Sequence, residues 1–435
     1  AFLVLPVVGL YRHFGLVSAL AFSFYFPLWY NALFDFHMDH LAIPILFGFF
    51  FYERKGKLYQ AISLAVLLSL VKEPFALQTA FCGLYLLARK NYLSGFFLTL
   101  FGVAYFTLAT QYMQQYFNSP FISIVGGWDL VSENTAFGWL GNSKQEIILS
   151  LITQPYFVLL EILNNEDKVK YFMYVFGALG FIPLLRPIIL LPAIPILLIS
   201  LLSNIPVHHA YNNHYTAGLV APMIIAFSEG LPSAKNLWQK INFPKYLFTP
   251  ILIGGLLLCH ILASPSPISR IFFIEKSWFY HYTVYLPSKR TQMIKSALTK
   301  YIPTNSEIVV TTQNTLNSGY LSKHKTIFVF PDGAIEKGSI PRINQLNLDG
   351  FWKFIKNQKL EKSTTSSAWA DYVVLDIKKP WFIISLGCYW VQGTCLKGQQ
   401  EFANRFSSLV AKTKEHFEMV YENDGFIILK YRGSL

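Results

Sequence analysis

Charge is what this chain has least of. Only 14% of its 435 residues are Asp, Glu, Lys or Arg, where a soluble globular protein carries about a quarter. The apolar residues, 53% of the total, come in long uninterrupted blocks rather than with amphipathic period. That pattern excludes a soluble enzyme with a large core and implies an integral membrane protein. Cysteine is scarce too, at four residues. Cys82 and Cys259 fall in apolar runs and are expected to be inert. Cys388 and Cys395, in "LGCYWVQGTC", are spaced too widely for a C-x-x-C redox or zinc element. They are expected to form a disulfide closing a small loop in an oxidising compartment, with two free thiols as the alternative. No Gly-rich phosphate loop follows any strand-like run, so no nucleotide site is assigned, and no nucleic-acid motif is present. There is also no Met and no charged n-region in the opening "AFLVLPVVGLYRHFG". The chain therefore starts inside an apolar segment rather than with a signal peptide, and further helices are expected upstream.

What charge there is lies unevenly. Residues 1–263 hold 14 Lys+Arg and 11 Asp+Glu, whereas residues 264–435 hold 22 and 13, which carries most of the net +12. This divides the chain into a helical membrane domain, 1–263, and a soluble domain, 264–435. A basic tail suits an anionic membrane surface or an anionic ligand. Within it, "SKRTQMIKSALTKYI" (288–302) and 398–416 have helical spacing, and "EIVVTT", "KTIFVF", "DYVVLD" and "GFIILKY" read as short buried strands. Strands alternating with helices predict a small α/β sheet.

Apolar runs place about ten spans near 1–11, 15–34, 40–52, 58–72, 74–89, 92–112, 170–185, 187–203, 214–229 and 247–263. Threaded alternately, one side receives ten Lys/Arg, from Arg12 to Lys245, with only Glu53 and Glu229 as acids. The other side receives Lys72, Lys144, Lys168 and Lys170 with nine acids. The positive-inside rule makes the first side cytoplasmic. The expected location is the plasma (inner) membrane, multi-pass, with the C-terminal domain outside. Several spans are short: 12 to 16 residues cover about 18–24 Å, less than the roughly 30 Å hydrocarbon core. Their outer ends would stop within the membrane, where charged side chains face protein or a water-filled recess.

Three polar clusters fall on that outer side. "DFHMDH" holds Asp35, His37, Asp39 and His40, which are suited to a base, to metal ligands or to phosphate contacts. The plainer alternative is a solvated loop with Asp35 or Asp39 capping the next helix. A zinc site needs a third and a fourth ligand that spacing does not supply, so no metal ligands are assigned and a divalent cation stays an option only. "LVKEPFAL" places Lys72 and Glu73 before Pro74, either as an ordinary helix start or with Glu73 aimed into the recess. "VHHAYNNHY" supplies His208, His209, His214 and Tyr215, three histidines in seven residues, which exceeds what an interfacial aromatic belt requires. The loop "GGWDLVSEN" adds Trp128 and Asp129, a ring beside a carboxylate as a sugar site would use.

"DFHMDHLAIP", "LVKEPFALQTAFCGLYLL", "FGWLGNSKQEII", "GFIPLLRP…LLPAIPILLISLLS" and "NNHYTAGLVAPMI", followed by the tail strands, resemble in order the membrane proteins of the domain of unknown function 2079 family. That family is similar to the GT-C class of polytopic glycosyltransferases. The likeness implies a polyprenyl-phosphate-linked sugar donor and an extracytoplasmic α/β domain. The usual catalytic Asp of that class lies in a first extracytoplasmic loop that this sequence does not contain. The nearest matches are His37 with Asp39, Glu73, and His214 with Tyr215. The leading expectation is therefore a GT-C-like inverting transferase, with Asp39 or Glu73 accepting a proton and Lys72, His208, His209 and His214 holding the leaving phosphate. A non-catalytic membrane subunit that binds lipid or partner proteins is the alternative. A transporter ranks last, because no inverted repeat is visible.

Overall fold

The computed structural model describes residues 3–33, 37–113, 116, 136–141, 144–274, 280–286, 288–305, 307–312, 326–340, 366–377, 390–391, 394–395 and 399–433. It separates into two compact units that meet in sequence at Tyr282 and Thr283.

The first unit is helical. Its helices are α1 (Val4–Phe14), α2 (Leu16–Phe24), α3 (Phe26–Leu33), α4 (Ala42–Arg54), α5 (Leu58–Ser69), α6 (Glu73–Ala88) and α7 (Tyr92–Leu108). They continue with α8 (Lys144–Thr153), α9 (Pro155–Asn164), α10 (Glu166–Gly177), α11 (Pro187–Leu202, with short 3-10 stretches), α12 (Ala217–Lys240) and α13 (Phe248–Ala263). Among the described residues, three helical stretches are long and apolar enough to cross a membrane: Tyr92–Met113, His214–Lys240 and Lys245–Ala263. The number rises to five if the bent pairs α2/α3 (53°) and α8/α9 (92°) each count as one span. The breaks have local causes. Tyr25 turns extended (φ −67°, ψ 98°) ahead of Pro27, and Pro155, with no N–H to donate, starts α9.

The core of this unit surrounds α12, whose first half from Ala217 to Phe227 is buried on every side. A helix that is apolar all round is an interior helix. By contrast α7 shows Leu93, Phe96, Phe97, Leu100 and Val103 at its surface, and packs against α6 through glycines. A Cβ on Gly95 would stand 2.7 Å from the Leu87 backbone nitrogen, and one on Gly102 would strike that of Ala80. Small residues let two helices approach backbone to backbone where lipid offers no hydrophobic drive.

The second unit is a five-stranded sheet in the order β2-β1-β5-β9-β8. The strands are β1 (Val309–Thr312), β2 (Thr326–Val329), β5 (Tyr372–Asp376), β8 (Phe417–Asn423) and β9 (Phe426–Tyr431). The short pairs β3 (Gly338–Ile340) with β4 (Ser366–Ala368), and β6 (Trp390–Val391) with β7 (Thr394–Cys395), stand apart. β1 pairs parallel with β2 and β5, while β5, β9 and β8 run antiparallel. Asp424 (φ 49°) and Gly425 (φ 76°) close the β8–β9 hairpin, a two-residue turn that needs positive φ at both positions. Alternate residues face opposite ways. Tyr372, Val374, Phe426 and Ile428 meet Ile294, Ala297 and Leu298 of α14 (Lys289–Tyr301). Val373, Leu375, Ile427 and Leu429 meet Phe406 and Val410 of α15 (Gln399–His416). Burial on both faces explains why "YVVL" and "FIIL" read as unbroken apolar runs. All four expected strands and both expected helices are present. Cys388 lies outside the described residues, so the pairing considered for it and Cys395 has no structural counterpart here.

Candidate functional site

Three turns of the helical unit, far apart in sequence, converge. Met38–Leu41 is a 3-10 turn leading into α4, with His37 extended just before it (φ −113°, ψ 146°). Lys72, also extended, precedes α6. His214–Thr216 is a 3-10 turn leading into α12. The last of these is pinned on both sides. The Asn213 side chain donates to the Val207 carbonyl at 2.5 Å and accepts from the Tyr215 N–H at 3.0 Å. Asn31 of α3 donates to the Thr216 hydroxyl at 2.5 Å.

Asp39 is at the centre. It is 6% exposed, and no side-chain cap bond joins it to α4, whose N-cap is Leu41. The helix-cap explanation for this acid therefore fails. Instead, both carboxylate oxygens lie 3.4 Å from the Lys72 ammonium, and Oδ2 lies 3.9 Å from His214 Nε2. The His214 ring stacks on His37, with centroids 3.7 Å apart and planes 10° apart. His40 stands edge-on to His37 at 6.4 Å. Tyr215 closes the site, its ring 4.3 Å from His214 and beneath the Lys72 ammonium at 5.6 Å. Glu73, the first residue of α6, and Asp39 both act electrostatically on the Tyr215 hydroxyl.

His208 borders this group, edge-on to Tyr215 at 4.9 Å, with its Nδ1 2.8 Å from the Ser203 hydroxyl. Burial pushes its pKa down to about 4, helped by His209 and then Lys72, so it is neutral at pH 7. A neutral imidazole orients and accepts; it does not neutralise a phosphate. His209, adjacent in sequence, belongs to a second group. Burial lowers its pKa first, then Lys168, with Asp167 opposing. The Lys168 ammonium sits 5.2 Å from the Trp139 ring, and Trp139 in turn donates to the Leu202 carbonyl at 2.7 Å. Lys168, 2% exposed, is a cation that sequence reasoning passed over. Its signal was a lysine inside the otherwise apolar face of "KVKYFMYV".

Of the residues expected to form a site, the structure thus gathers His37, Asp39, His40, Lys72, Glu73, His208, His214 and Tyr215, and sets His209 in a neighbouring group. Asp35, Trp128 and Asp129 lie outside the described residues. The ligand missing from the spacing argument is His214: one donor atom each from His37, Asp39 and His214 fall within 4.8 Å of one another.

A family model described as a predicted membrane protein, DUF2079, matches residues 5–378. The chain belongs to the DUF2079 family. The match covers every residue of the cluster just described and the β1–β2–β5 half of the sheet. No curated protein and no solved structure matches this DUF2079 chain. As a membrane protein it contacts lipid, which the exposed Leu, Phe and Val side chains of α7 are suited to meet.

Proposed function

We propose that this chain is a membrane glycosyltransferase that moves a sugar from a polyprenyl-phosphate donor to an acceptor on the outer face. The observation that carries the reading is the pair of buried Asp39 and half-buried Lys72 beside His37, His214 and Tyr215. At 3.4 Å the pair is looser than a charge-assisted hydrogen bond of about 2.8 Å, so each partner can be drawn to a substrate group. In the proposed step the acceptor oxygen attacks the anomeric carbon with inversion, and its proton passes to Asp39. The bond to the donor phosphate breaks and its electron pair leaves with the phosphate, toward which Lys72 turns. Glu73 supplies a second carboxylate, and neutral His208 orients a hydroxyl. Orientation follows the charge count: ten Lys/Arg on the opposite side support an inner-membrane chain whose site and C-terminal α/β domain face outward.

The test is transfer from a radiolabelled polyprenyl-phosphate sugar in membranes carrying wild type or D39N/E73Q. Loss of transfer with intact expression supports the reading. Full transfer by the double variant would sink the assignment of Asp39 and Glu73, and no transfer by wild type above membranes lacking the chain would favour a non-catalytic subunit.

A further inference from the structure

We infer that His37, Asp39 and His214 hold one divalent transition-metal ion. The site is the one described above, and the inference rests on the transferase reading only for what the bound ion would do there; with Asp39 on the ion, Glu73 is the carboxylate left to take the acceptor proton. Two imidazoles and one carboxylate are the donor set that selects zinc, manganese, iron or cobalt over magnesium or calcium, which prefer all-oxygen shells.

Three features of the cluster fit. First, two of the three donors come from turns whose backbones are fixed: Asp39 is within the Met38–Leu41 turn, and His214 sits between the bonds made by Asn213 and Thr216. Second, Asp39 and His214 are each 8% exposed at the side chain, so an ion between them would be shielded from competing water on the protein side. Third, the Lys72 ammonium approaches Asp39 symmetrically and at long range, leaving the Oδ2 edge turned toward His214. A cation there would replace one positive charge near the carboxylate by another of higher charge.

The spread of 4.8 Å is wider than the about 3–3.4 Å between donors of a closed site with bonds near 2.1 Å, so the donors must draw together. The stacked rings identify the movement. A metal lies in the plane of each imidazole that binds it, and two rings stacked 3.7 Å apart cannot both meet that condition. His37, in extended backbone ahead of its turn and only partly buried, is the ring that must leave the stack while His214 stays in place. Three protein ligands leave open positions, which in the proposed transfer would receive donor phosphate oxygens.

The experiment uses the full chain, without a polyhistidine tag, purified in detergent and stripped with EDTA. Cobalt(II) is titrated in while visible d–d absorption reports nitrogen ligation, and elemental analysis after zinc loading gives the stoichiometry. One equivalent per chain is expected, with affinity falling more than about tenfold in H37A, D39N and H214A, since even outer-shell changes cost 10–100-fold. K72M should bind tighter, because a competitor for Asp39 is gone. H37A keeps the test decisive if H214A fails to fold, as its site is part-exposed; size exclusion and circular dichroism check both. Absence of one-equivalent binding, or wild-type affinity in H37A and D39N, overturns the inference. Binding without sugar transfer overturns the transferase reading alone, and transfer by a chain that binds no metal overturns the cation site alone.

Discussion

Two groups of charged residues in this chain use the same chemistry in opposite ways. In the sheet unit Arg290 reaches Asp376 with both terminal nitrogens at 2.9 Å, and Asp424 with Nε at 2.8 Å and Nη2 at 3.0 Å to its carbonyl. The guanidinium fork is matched to its acceptors, and the Asp376 bonds, followed by those of Asp424, raise the Arg290 pKa further. In the helical unit Lys72 faces Asp39 at 3.4 Å, both partly shielded, with imidazoles beside them. The first arrangement is closed: it ties the start of α14 to the end of β5 and to the β8–β9 turn. The second is open, and openness is what a site that exchanges partners requires. The near-ideal pair is what a structural lock requires, and the loose pair is what the proposed transfer requires.

That contrast can be broken at either end. The largest expected effect is on transfer: Asp39→Asn should lower the rate by about 10²–10⁴-fold, the usual contribution of a general base, while leaving the helical content unchanged. Equal loss of fold and rate would make Asp39 a structural residue like Asp376. Arg290→Met should do the reverse. It leaves Asp376, 1% exposed, as a buried carboxylate without its fork, and should cost the sheet unit about 3 kcal/mol in urea unfolding with transfer per folded molecule preserved. An unchanged midpoint would show that the lock is dispensable.

Acid should act through His208. Its folded pKa is depressed to about 4 while the unfolded ring titrates near 6.5, so the unfolded state binds more protons between those values. Stability is then complete above the unfolded pKa and falls as pH drops from 6.5 toward 4, by at most about 3 kcal/mol. Thermal unfolding in detergent at pH 7.5 and 4.5 measures it, and His208→Gln should flatten the dependence; an equally steep variant would move the cause elsewhere. The smallest effect belongs to packing: Gly102→Ala should cost about 1–3 kcal/mol by forcing α6 and α7 apart. A neutral result would mean that the two helices adjust freely.

Several parts of this molecule were legible without coordinates. "DYVVLD" and "GFIILKY" announced strands covered on both faces, because only a two-sided core tolerates unbroken apolar runs. The polar clusters were visible as polar residues inside an apolar sequence, where their cost demands a reason. The role of Asp39 was not legible. As a helix cap or as a site residue it reads identically, since both put an acid before an apolar run; only its distances to Lys72 and His214 separate the two. Likewise His208 and His209, neighbours in sequence, belong to different groups because consecutive side chains on a 3-10 turn point apart.

Composition and periodicity by themselves determined the class of this protein: an apolar helical part followed by a small α/β part, with polar residues kept to few places. These are averages over many residues, and burial free energy depends on such sums. Tertiary structure alone decided which of those polar residues meet. Whether His37, Asp39, Lys72 and His214 share one point depends on how α3, α4, α6 and α12 pack, a matter of ångströms that no local spacing encodes.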